Sequence, residues 1–396
     1  MTPDLPHRLA QALAGCVGPV GVAVSGGGDS VALLLGLAQS LPGRVRAVTF
    51  DHRLRAESAR EAAWVARLCD RLGVPHTILH WAEAPRGNLM DAARRARIAA
   101  IAGWASGQRI ADVVLGHTAD DQAETFLMNL SRAAGLEGLC GLRPRFACGG
   151  VTFHRPMLDV TRADLLAWLR AQGQDWLDDP SNENPRFLRA RARKALAGLG
   201  IGAGTIAQSV AHLAAARGLV QAELLRLIDS HVSEELGTLS ITPGLPPEGL
   251  RLILSAAIRW MGGGDHPPRG TDLARLMARL AAGQTSTLAG CRFRPGAELR
   301  ITREPRAVAG PSAPGGIWDH RWQVQGPFAP GQTIGALGET GLRLCPDWRA
   351  HGDRAALLVS PAVWHEGHLI AAPLARPHRD WQAATCPNFR MFAAAH

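Results

Sequence analysis

The chain has 396 residues, of which 46% are hydrophobic and 19% are charged, and its mean hydropathy is close to zero. This length predicts two to three domains, and the composition excludes an intrinsically disordered chain. The start of the chain lacks the basic and apolar segments of a signal peptide. No apolar run approaches the roughly 20 residues that span a bilayer. We therefore expect a cytoplasmic protein without a membrane partner.

Net charge and cysteine content further limit the functions that this chain can have. A formal net charge of +9 predicts an acidic polymer as a partner. Because Lys194 is the only lysine, the bias toward arginine is typical of genome composition, and the positions of the arginines matter more than their number. The seven cysteines are scattered and never form a CxxC pair, which argues against a disulfide framework and against zinc or iron–sulfur sites.

The first half of the chain alternates between strand and helix patterns. Buried strands are predicted at Val20–Val24, Val45–Phe50, His76–His80 and Asp112–Leu115, with helices at Ser30–Ser40, Glu57–Leu72 and Leu89–Ser106 between them. A strand over Val151–Met157 and a helix over Arg162–Gln172 follow. This alternation predicts βαβ units and an α/β fold with a doubly wound, mostly parallel sheet.

After about residue 200 the pattern changes. Helices are predicted at Thr205–Ser233, Pro247–Met261 and Thr271–Ala282, a hairpin within Thr287–Pro305, and only short strands from Ala307 onward. We therefore predict three domains: an α/β domain over 1–200, a helical domain with a terminal hairpin over 201–306, and a small β-rich domain over 307–396.

The turn between the first strand and the first helix reads Ser25-Gly26-Gly27-Gly28-Asp29-Ser30. Such a glycine-rich turn lets backbone N–H groups approach a phosphate, and the following helix N-terminus adds positive charge. The turn has no lysine and is therefore not a Walker A loop. The next glycine is Gly36, which excludes the Rossmann fingerprint. The alternative is an ordinary tight turn in which Asp29 caps the helix.

The loop instead resembles the SGGxDS pyrophosphate loop of the N-type ATP pyrophosphatases. Three further stretches share the order and spacing of one family within that superfamily, namely Phe50–Cys69, Leu115–Leu142 and His154–Leu196. Across roughly the first 200 residues the chain resembles the tRNA(Ile)-lysidine synthetases. The resemblance continues more loosely in Arg303-Glu304-Pro305 and in Trp318-Asp319-His320-Arg321.

This resemblance implies a fold, a reaction and its reactants. The fold would be adenine-nucleotide alpha-hydrolase-like, with residues 1–200 as the catalytic domain. The enzyme would use ATP to join lysine to C2 of the wobble cytidine of tRNA(Ile) with a CAU anticodon. An adenylated cytidine would be the intermediate, and AMP and pyrophosphate the other products. ATP would lie on Ser25–Ser30, with Asp51 and His52 near the adenosine. Asp29 would hold Mg²⁺ or orient a cationic reactant.

An acidic helix start follows the fourth predicted strand. Asp120, Asp121 and Glu124 gather on one helix face, at an edge of the sheet where ligands bind in open α/β folds. Their mutual repulsion predicts a compensating cation, either Mg²⁺ or the ammonium groups of lysine. Complementation of the helix dipole is the alternative. His117 is predicted either to contact the nucleotide or to cap the turn.

Basic residues are the candidates for contacts with tRNA or phosphate. They are Arg94, Arg97, Arg132, Arg189, Arg191, Arg193 and Lys194. A solvated arginine face is the alternative for Arg94 and Arg97. Asp178, Asp179 and Glu183 offer intramolecular partners to the later cluster. After Arg132 the family usually has glycine, where this chain has Ala133.

Two other functions remain open at this point. A tRNA thiolase of the same superfamily would use the same loop but would need a reactive cysteine, and Cys140 and Cys148 are the only close pair. A non-catalytic ATP-binding module would bind nucleotide without turnover and would have no use for the acidic helix. The sequence leaves a homodimer open.

Overall fold

The computed structural model describes residues 4–52, 58–80, 89–178, 188–264 and 266–395, with the side chains of residues 89–94 excepted. Contacts within the chain divide it into two compact units, Met1–Arg217 and Gly218–His396. The three predicted domains with boundaries at 200 and 306 stay a prediction.

The first unit begins with a helix and then alternates strands and helices. Its first elements are α1 (Leu5–Ala12), β1 (Val20–Ala23), α2 (Gly28–Ser40), β2 (Val45–Asp51), α3 (Ser58–Arg71), β3 (His76–His80), α4 (Leu89–Gly107) and β4 (Asp112–Leu115). It continues with α5 (Ala119–Leu130), α6 (Leu136–Leu139), β5 (Arg145–Cys148), β6 (Val151–His154), α7 (Arg162–Ala171), α8 (Leu188–Leu199) and the first part of α9 (Ala203–His231). The predicted alternation is confirmed.

The six strands form one sheet in the order β3-β2-β1-β4-β6-β5. All neighbours are parallel except β5 and β6, which pair as an antiparallel hairpin at the edge. Alternate side chains of a strand enter different cores: Val113 packs with α4, whereas Val114 packs with α2 and α7. Helices therefore cover both faces, and the prediction of a doubly wound, mostly parallel sheet is confirmed.

The hairpin corrects one sequence prediction. The strand expected over Val151–Met157 ends at His154, and β5 was not predicted. Gly149 and Gly150 join the two strands with φ of +57° and +77°. Two consecutive residues with positive φ form the tight turn whose twist suits a hairpin, and glycine adopts it without strain.

The strand order places a crevice beside the first strand. Strand β1 pairs with β2 on one side and with β4 on the other, so the chain leaves β1 and β4 in opposite directions around the sheet. In open α/β sheets, ligands bind outside the carboxyl ends of the strands at this switch point. The Ser25–Ser30 turn follows β1, and His117 follows β4.

The second unit contains the rest of α9 and three small sheets. A five-stranded antiparallel sheet has the order β7-β8-β11-β10-β9, from β7 (Val232–Glu235), β8 (Thr238–Ile241), β9 (Ser286–Leu288), β10 (Cys291–Arg294) and β11 (Leu299–Arg303). Helices α10 (Pro247–Gly262) and α11 (Gly270–Ala281) share a core with this sheet. The predicted hairpin is the β10–β11 pair.

The end of the chain is more helical than predicted. It contains β12 (Trp322–Gln325), β13 (Thr333–Ala336), α12 (Gly338–Arg343), α13 (Arg354–Leu358), β14 (Pro361–His365), β15 (His368–Ala371), β16 (Gln382–Thr385) and α14 (Phe389–Ala395). The expectation of short strands only is therefore wrong. The long helix predicted to reach Ser233 ends at His231, because Val232 begins a hairpin whose turn residues, Leu236 and Gly237, have positive φ.

No single helix in the described part of the chain is long and apolar enough to cross a membrane. Helices α8 and α9 are long and apolar enough only when taken together, and the chain bends by 107° between them.

The two later motifs of the sequence meet in a buried charge cluster. Arg303 donates to both carboxylate oxygens of Asp319, at 3.3 and 3.2 Å, and Nη1 of Arg321 donates to Oδ2 of Asp319 at 2.8 Å. The side chains of Asp319 and Arg321 are 0% and 1% exposed. The Arg321 guanidinium also lies 5.6 Å from the ring of Trp260. One buried carboxylate therefore pairs with two guanidinium groups.

We predict that Asp319→Asn destabilises the second unit by about 3–5 kcal/mol, because it leaves two buried cations without their anion. Asparagine keeps the shape of the side chain and tolerates the positive φ of 43° at this position. Urea unfolding followed by tryptophan fluorescence measures the change. The control is Asp272→Asn, which removes an exposed pair with Arg275 and should cost less than about 1 kcal/mol. Equal losses in both variants would contradict the prediction.

Candidate active site

The Ser25–Ser30 turn is closed by its own serines. The Ser30 hydroxyl donates to the Gly27 carbonyl at 2.8 Å and accepts from the Ser25 N–H at 3.1 Å. The Ser25 and Ser30 hydroxyl oxygens are 3.2 Å apart. These bonds fix the turn at the N-terminus of α2. Gly27 precedes that helix and has no side chain to occupy its first N–H groups, which leaves them available to an anion.

The three glycines of the turn have different reasons to be glycine. Gly26 has φ of +91°, where a side chain is strained. A Cβ at Gly28 would lie 2.3 Å from Cδ2 of Leu166. Gly27 has neither constraint, since its φ is −67° and the nearest atom to a Cβ there is the Ser25 hydroxyl oxygen at 3.8 Å. Packing and backbone conformation thus explain two glycines and leave Gly27 to be explained by a ligand.

Asp29 is held by an arginine that was not predicted as a site residue. Nε and Nη2 of Arg162 lie 2.9 and 2.8 Å from Oδ2 of Asp29. The backbone N–H of Arg162 donates to Oδ2 of Asp120 at 2.7 Å. Burial raises the pKa of the Asp29 carboxyl above its usual value, although Arg162 acts in the opposite direction. Arg162 thereby joins the start of α2 to the start of α5.

The remaining acids of α5 also have polar partners. Oδ2 of Asp121 accepts from the Thr118 N–H at 2.9 Å, and its Oδ1 lies 3.9 Å from Arg189. Oε1 of Glu124 accepts from Nε and Nη2 of Arg193 at 2.8 and 2.7 Å. Burial raises the pKa of Glu124 despite Arg193. Burial has the same effect on Asp121, but His117 and the Thr118 N–H outweigh it and lower its pKa.

These pairs answer a question left by the sequence. The acids were predicted to repel one another, and so were Arg189 and Arg193. Both repulsions are relieved within the protein, because Arg189 faces Asp121 and Arg193 faces Glu124. Of the partners considered from the sequence, Asp178 accepts from Nε1 of Trp176 at 3.1 Å, while Asp179 and Glu183 lie outside the described residues.

A cavity of about 670 Å³ brings most of these groups together. Its polar lining comprises Ser25, Asp29, Ser30, Arg97, His117, Asp121, Arg162, Asp178, Arg189 and Arg193. Backbone contact joins its two sides, since a Cβ at Gly116 would lie 3.2 Å from the carbonyl oxygen of Asp29. The loops that follow β1 and β4 therefore form one site.

Some predicted residues lie outside the cavity lining, including Gly26 of the turn and Asp120 and Glu124 of α5. Oδ2 of Asp51 is buried 3.6 Å from Nδ1 of His80, and His52 packs against the ring of Phe50 at 4.8 Å. Arg132, Arg191 and Lys194 are exposed. The Arg94 side chain lies outside the described residues.

Several residues in or beside the cavity were not predicted from the sequence. Leu166, Trp176 and Leu177 form its apolar wall, and the Leu177 N–H donates to the Gly26 carbonyl at 3.0 Å. The sequence signal for this wall is the apolar pair Trp176-Leu177 within a stretch otherwise rich in acids and amides. Arg155, which donates from Nε to Nδ1 of His117 at 3.2 Å, sits directly after strand β6.

Asp29 also provides an atom suited to a metal ion. Its Oδ1 is buried and has no hydrogen-bond partner among the described residues, while Oδ2 is occupied by Arg162. Carboxylate oxygens are the ligands that Mg²⁺ prefers, and Mg²⁺ in nucleotide sites typically uses one or two of them together with phosphate oxygens. The residues therefore fit a Mg²⁺ ion bound through Asp29.

A phosphate-binding turn at the switch point of a doubly wound sheet, with a buried aspartate beside it, defines a nucleotide-binding enzyme of the PP-loop class. The PP-loop domain family matches residues 7–199 of this chain. The chain is 44% identical to the tRNA(Ile)-lysidine synthase of Ruegeria pomeroyi over 95% of its own length and 93% of that protein. It belongs to the tRNA(Ile)-lysidine synthase family.

A second sequence relative agrees with this assignment. The tRNA(Ile)-lysidine synthase of Hyphomonas neptunium is 38% identical over 73% of this chain and 80% of its own length. Among solved structures, a U34-tRNA thiolase from Methanococcus maripaludis aligns with 53% of this chain and 77% of its own, at 14% identity and a TM-score of 0.45. The assignment rests on the sequence relatives.

We predict that Gly27→Ala folds normally but binds ATP at least about ten times more weakly, because its Cβ enters space that only a ligand would fill. The unfolding temperature should stay close to that of the parent chain, since no atom beyond the two adjacent residues lies closer than 3.8 Å to that Cβ. Calorimetric titration with ATP measures the affinity. The control is Gly103→Ala in α4, where no atom lies within 4 Å of the added Cβ. Unchanged ATP affinity in Gly27→Ala would contradict the prediction.

Proposed function

We propose that this chain uses ATP and Mg²⁺ to join lysine to C2 of the wobble cytidine of tRNA(Ile) with a CAU anticodon. The observation that carries the proposal is one cavity that combines a phosphate-binding turn with buried carboxylates. The turn suits ATP, and the carboxylates suit the ammonium groups of lysine. Membership in the tRNA(Ile)-lysidine synthase family supports both assignments.

In the first half-reaction, O2 of the cytidine attacks the α-phosphorus of ATP, and pyrophosphate leaves. The N–H groups of the turn and the hydroxyls of Ser25 and Ser30 hold the leaving group, because donors placed there stabilise developing negative charge. To donate, the Ser30 hydroxyl gives up its bond to the Gly27 carbonyl. When bound at Asp29, Mg²⁺ supplies further charge stabilisation at the phosphates. The cytidine must be unstacked to reach the cavity.

In the second half-reaction, the uncharged ε-amine of lysine attacks C2, and AMP leaves with the former O2. The carboxylates of Asp121 and Glu124 are the groups that bind the α-ammonium and accept the proton of the ε-amine. Arg189 and Arg193 hold these carboxylates in the described structure. Lysine can therefore bind only if the two guanidinium groups move away or share the carboxylates with its ammonium groups.

Exposed cations of the first unit supply contacts to the tRNA backbone. Arg132, Arg191 and Lys194 are exposed, and such residues fix the register of a nucleic acid through its phosphates. We assign binding of the tRNA body to residues 201–306 and 307–396. A homodimer stays a prediction, which sedimentation analysis tests.

Sulfur transfer is the second candidate function, and one observation disfavours it. None of the described residues that line the cavity is a cysteine. Cys140 is buried and Cys148 half-buried, and burial raises the pKa of the Cys140 thiol, which lowers its reactivity.

The decisive experiment is incorporation of radiolabelled lysine into an unmodified tRNA(Ile) transcript with a CAU anticodon. We expect label only when ATP is present, because the cytidine must be adenylated before the amine attacks. A transcript with uridine at the wobble position should take up none. AMP release without label would favour sulfur transfer, and ATP binding without AMP release would favour a non-catalytic module.

We predict that tRNA(Ile) protects Lys194 from acylation by an N-hydroxysuccinimide ester by at least about fivefold. Lys194 is the only lysine of the chain, so the modified peptide reports on one side chain. Mass spectrometry with and without tRNA measures the rate. The α-amino group of the chain serves as the internal control. Equal acylation of Lys194 in both samples would remove it from the tRNA contact surface.

A further inference from the structure

We infer that Arg155 is a positioning residue that holds His117 as the neutral Nε2–H tautomer, so that His117 donates a hydrogen bond to a phosphate oxygen of the bound nucleotide and does not act as a base. Nε of Arg155 lies 3.2 Å from Nδ1 of His117. A guanidinium has only donors, so Nδ1 must present its lone pair. The proton of a neutral imidazole is then on Nε2.

Arg155 is built to keep this orientation. The residue is 8% exposed, and its Nη1 donates to the Arg143 carbonyl at 2.7 Å. Its guanidinium lies 4.3 Å from the ring centre of Phe146. That ring stacks on Phe153 at 4.9 Å with an interplanar angle of 13°. A hydrogen bond and a cation–π contact therefore fix the guanidinium that faces His117.

Two charged neighbours have opposite effects on the protonation of the His117 imidazole. Asp121 favours a charged imidazole, and this attraction lowers the pKa of Asp121. Arg155 opposes the charge, because an imidazolium would point a second N–H at the guanidinium. Asp121 already accepts from the N–H and the hydroxyl of Thr118, at 2.9 and 3.2 Å. The hydrogen bond from Arg155 requires a lone pair on Nδ1, and this requirement decides the tautomer.

The position of His117 indicates a phosphate as its acceptor. The residue lines the cavity and directly follows Gly116, which touches the backbone of the Ser25–Ser30 turn. A donor at this place complements the N–H groups of the turn. This assignment rests on the proposed function, because that function places ATP on the turn. It leaves the carboxylates of α5 to accept the proton of lysine.

The first test is spectroscopic and does not depend on activity. Long-range ¹H–¹⁵N correlation spectra of protein labelled in histidine at pH 7 distinguish the two neutral tautomers and the imidazolium. The spectrum of His117→Gln identifies the signals of His117. We expect the Nε2–H pattern in the parent chain and a loss of this single pattern in Arg155→Met. The control Arg145→Met, in the same hairpin but exposed, should leave it unchanged. An imidazolium or an Nδ1–H pattern in the parent chain would overturn the inference.

The second test separates a donor from a base. Glutamine at position 117 supplies an amide N–H near the place of Nε2 but cannot take up a proton. We expect His117→Gln to retain at least about a tenth of the rate of tRNA-dependent pyrophosphate release. His117→Ala should lose about a hundredfold, the usual effect of one missing donor. Equal loss in both variants would overturn the donor role.

The two tests also separate this inference from the proposed function. If the parent chain releases no pyrophosphate with tRNA(Ile), the proposed function fails, while the tautomer of His117 is still read from the spectrum. Should Arg155→Met not fold, the parent spectrum alone decides the tautomer, and Arg155→Lys, which keeps a cationic donor, should retain the Nε2–H pattern.

Discussion

The arrangement of the site depends on one residue, Arg162, at the start of α7. Its side chain binds Asp29 at the start of α2, and its backbone N–H binds Asp120 at the start of α5. Three helices that lie far apart in sequence therefore begin at fixed positions relative to one another. Burial of an unpaired carboxylate is costly, so the folded chain keeps Asp29 and Arg162 together. The same pairing leaves Oδ1 of Asp29 as the atom available to a metal ion.

Charge pairing extends from this residue through the rest of the cavity. Arg189 and Arg193 of α8 face Asp121 and Glu124 of α5. The charges of these arginines are therefore paired with carboxylates of the protein itself. Such a site is stable without ligands, and it binds an ion only by exchanging one partner for another. For the proposed reaction, an ammonium group would take carboxylate contacts from the arginines, and phosphates would accept the released guanidinium groups. Binding of the cationic and anionic reactants would then favour each other.

The sequence predicted the sheet and the phosphate turn because both depend on local patterns. Buried parallel strands are short apolar runs, and the turn requires glycine at Gly26 for its φ of +91°. The second half of the chain was less predictable. The turn between β7 and β8 uses Leu236 with positive φ, a conformation that the residue type does not indicate. The same holds for Ala133, which has φ of +52° where the family usually has glycine.

The acidic residues of the site were predicted more completely than its basic residues. Asp121 and Glu124 stand at helical spacing in one short stretch, so their shared face follows from the sequence. Arg162 lies more than 130 residues from Asp29 in the chain, and Arg155 reaches His117 from a different strand. Nothing local distinguishes these two arginines from the many others of an arginine-rich chain. Only the strand order, which brings β1, β4 and β6 side by side, selects them.

The exclusive use of arginine in the cavity has a chemical consequence for the proposed reaction. Arg97, Arg162, Arg189 and Arg193 line the cavity, and the single lysine of the chain, Lys194, is not among the described lining residues. An adenylated cytidine is an electrophile at C2, and any uncharged amine within reach could attack it. Arginine stays protonated at all physiological pH values and supplies positive charge without a nucleophilic lone pair, whereas a buried lysine readily loses its proton. Because the basic side chains among the described lining residues carry no such amine, the ε-amine of the substrate would be the amine that reaches C2.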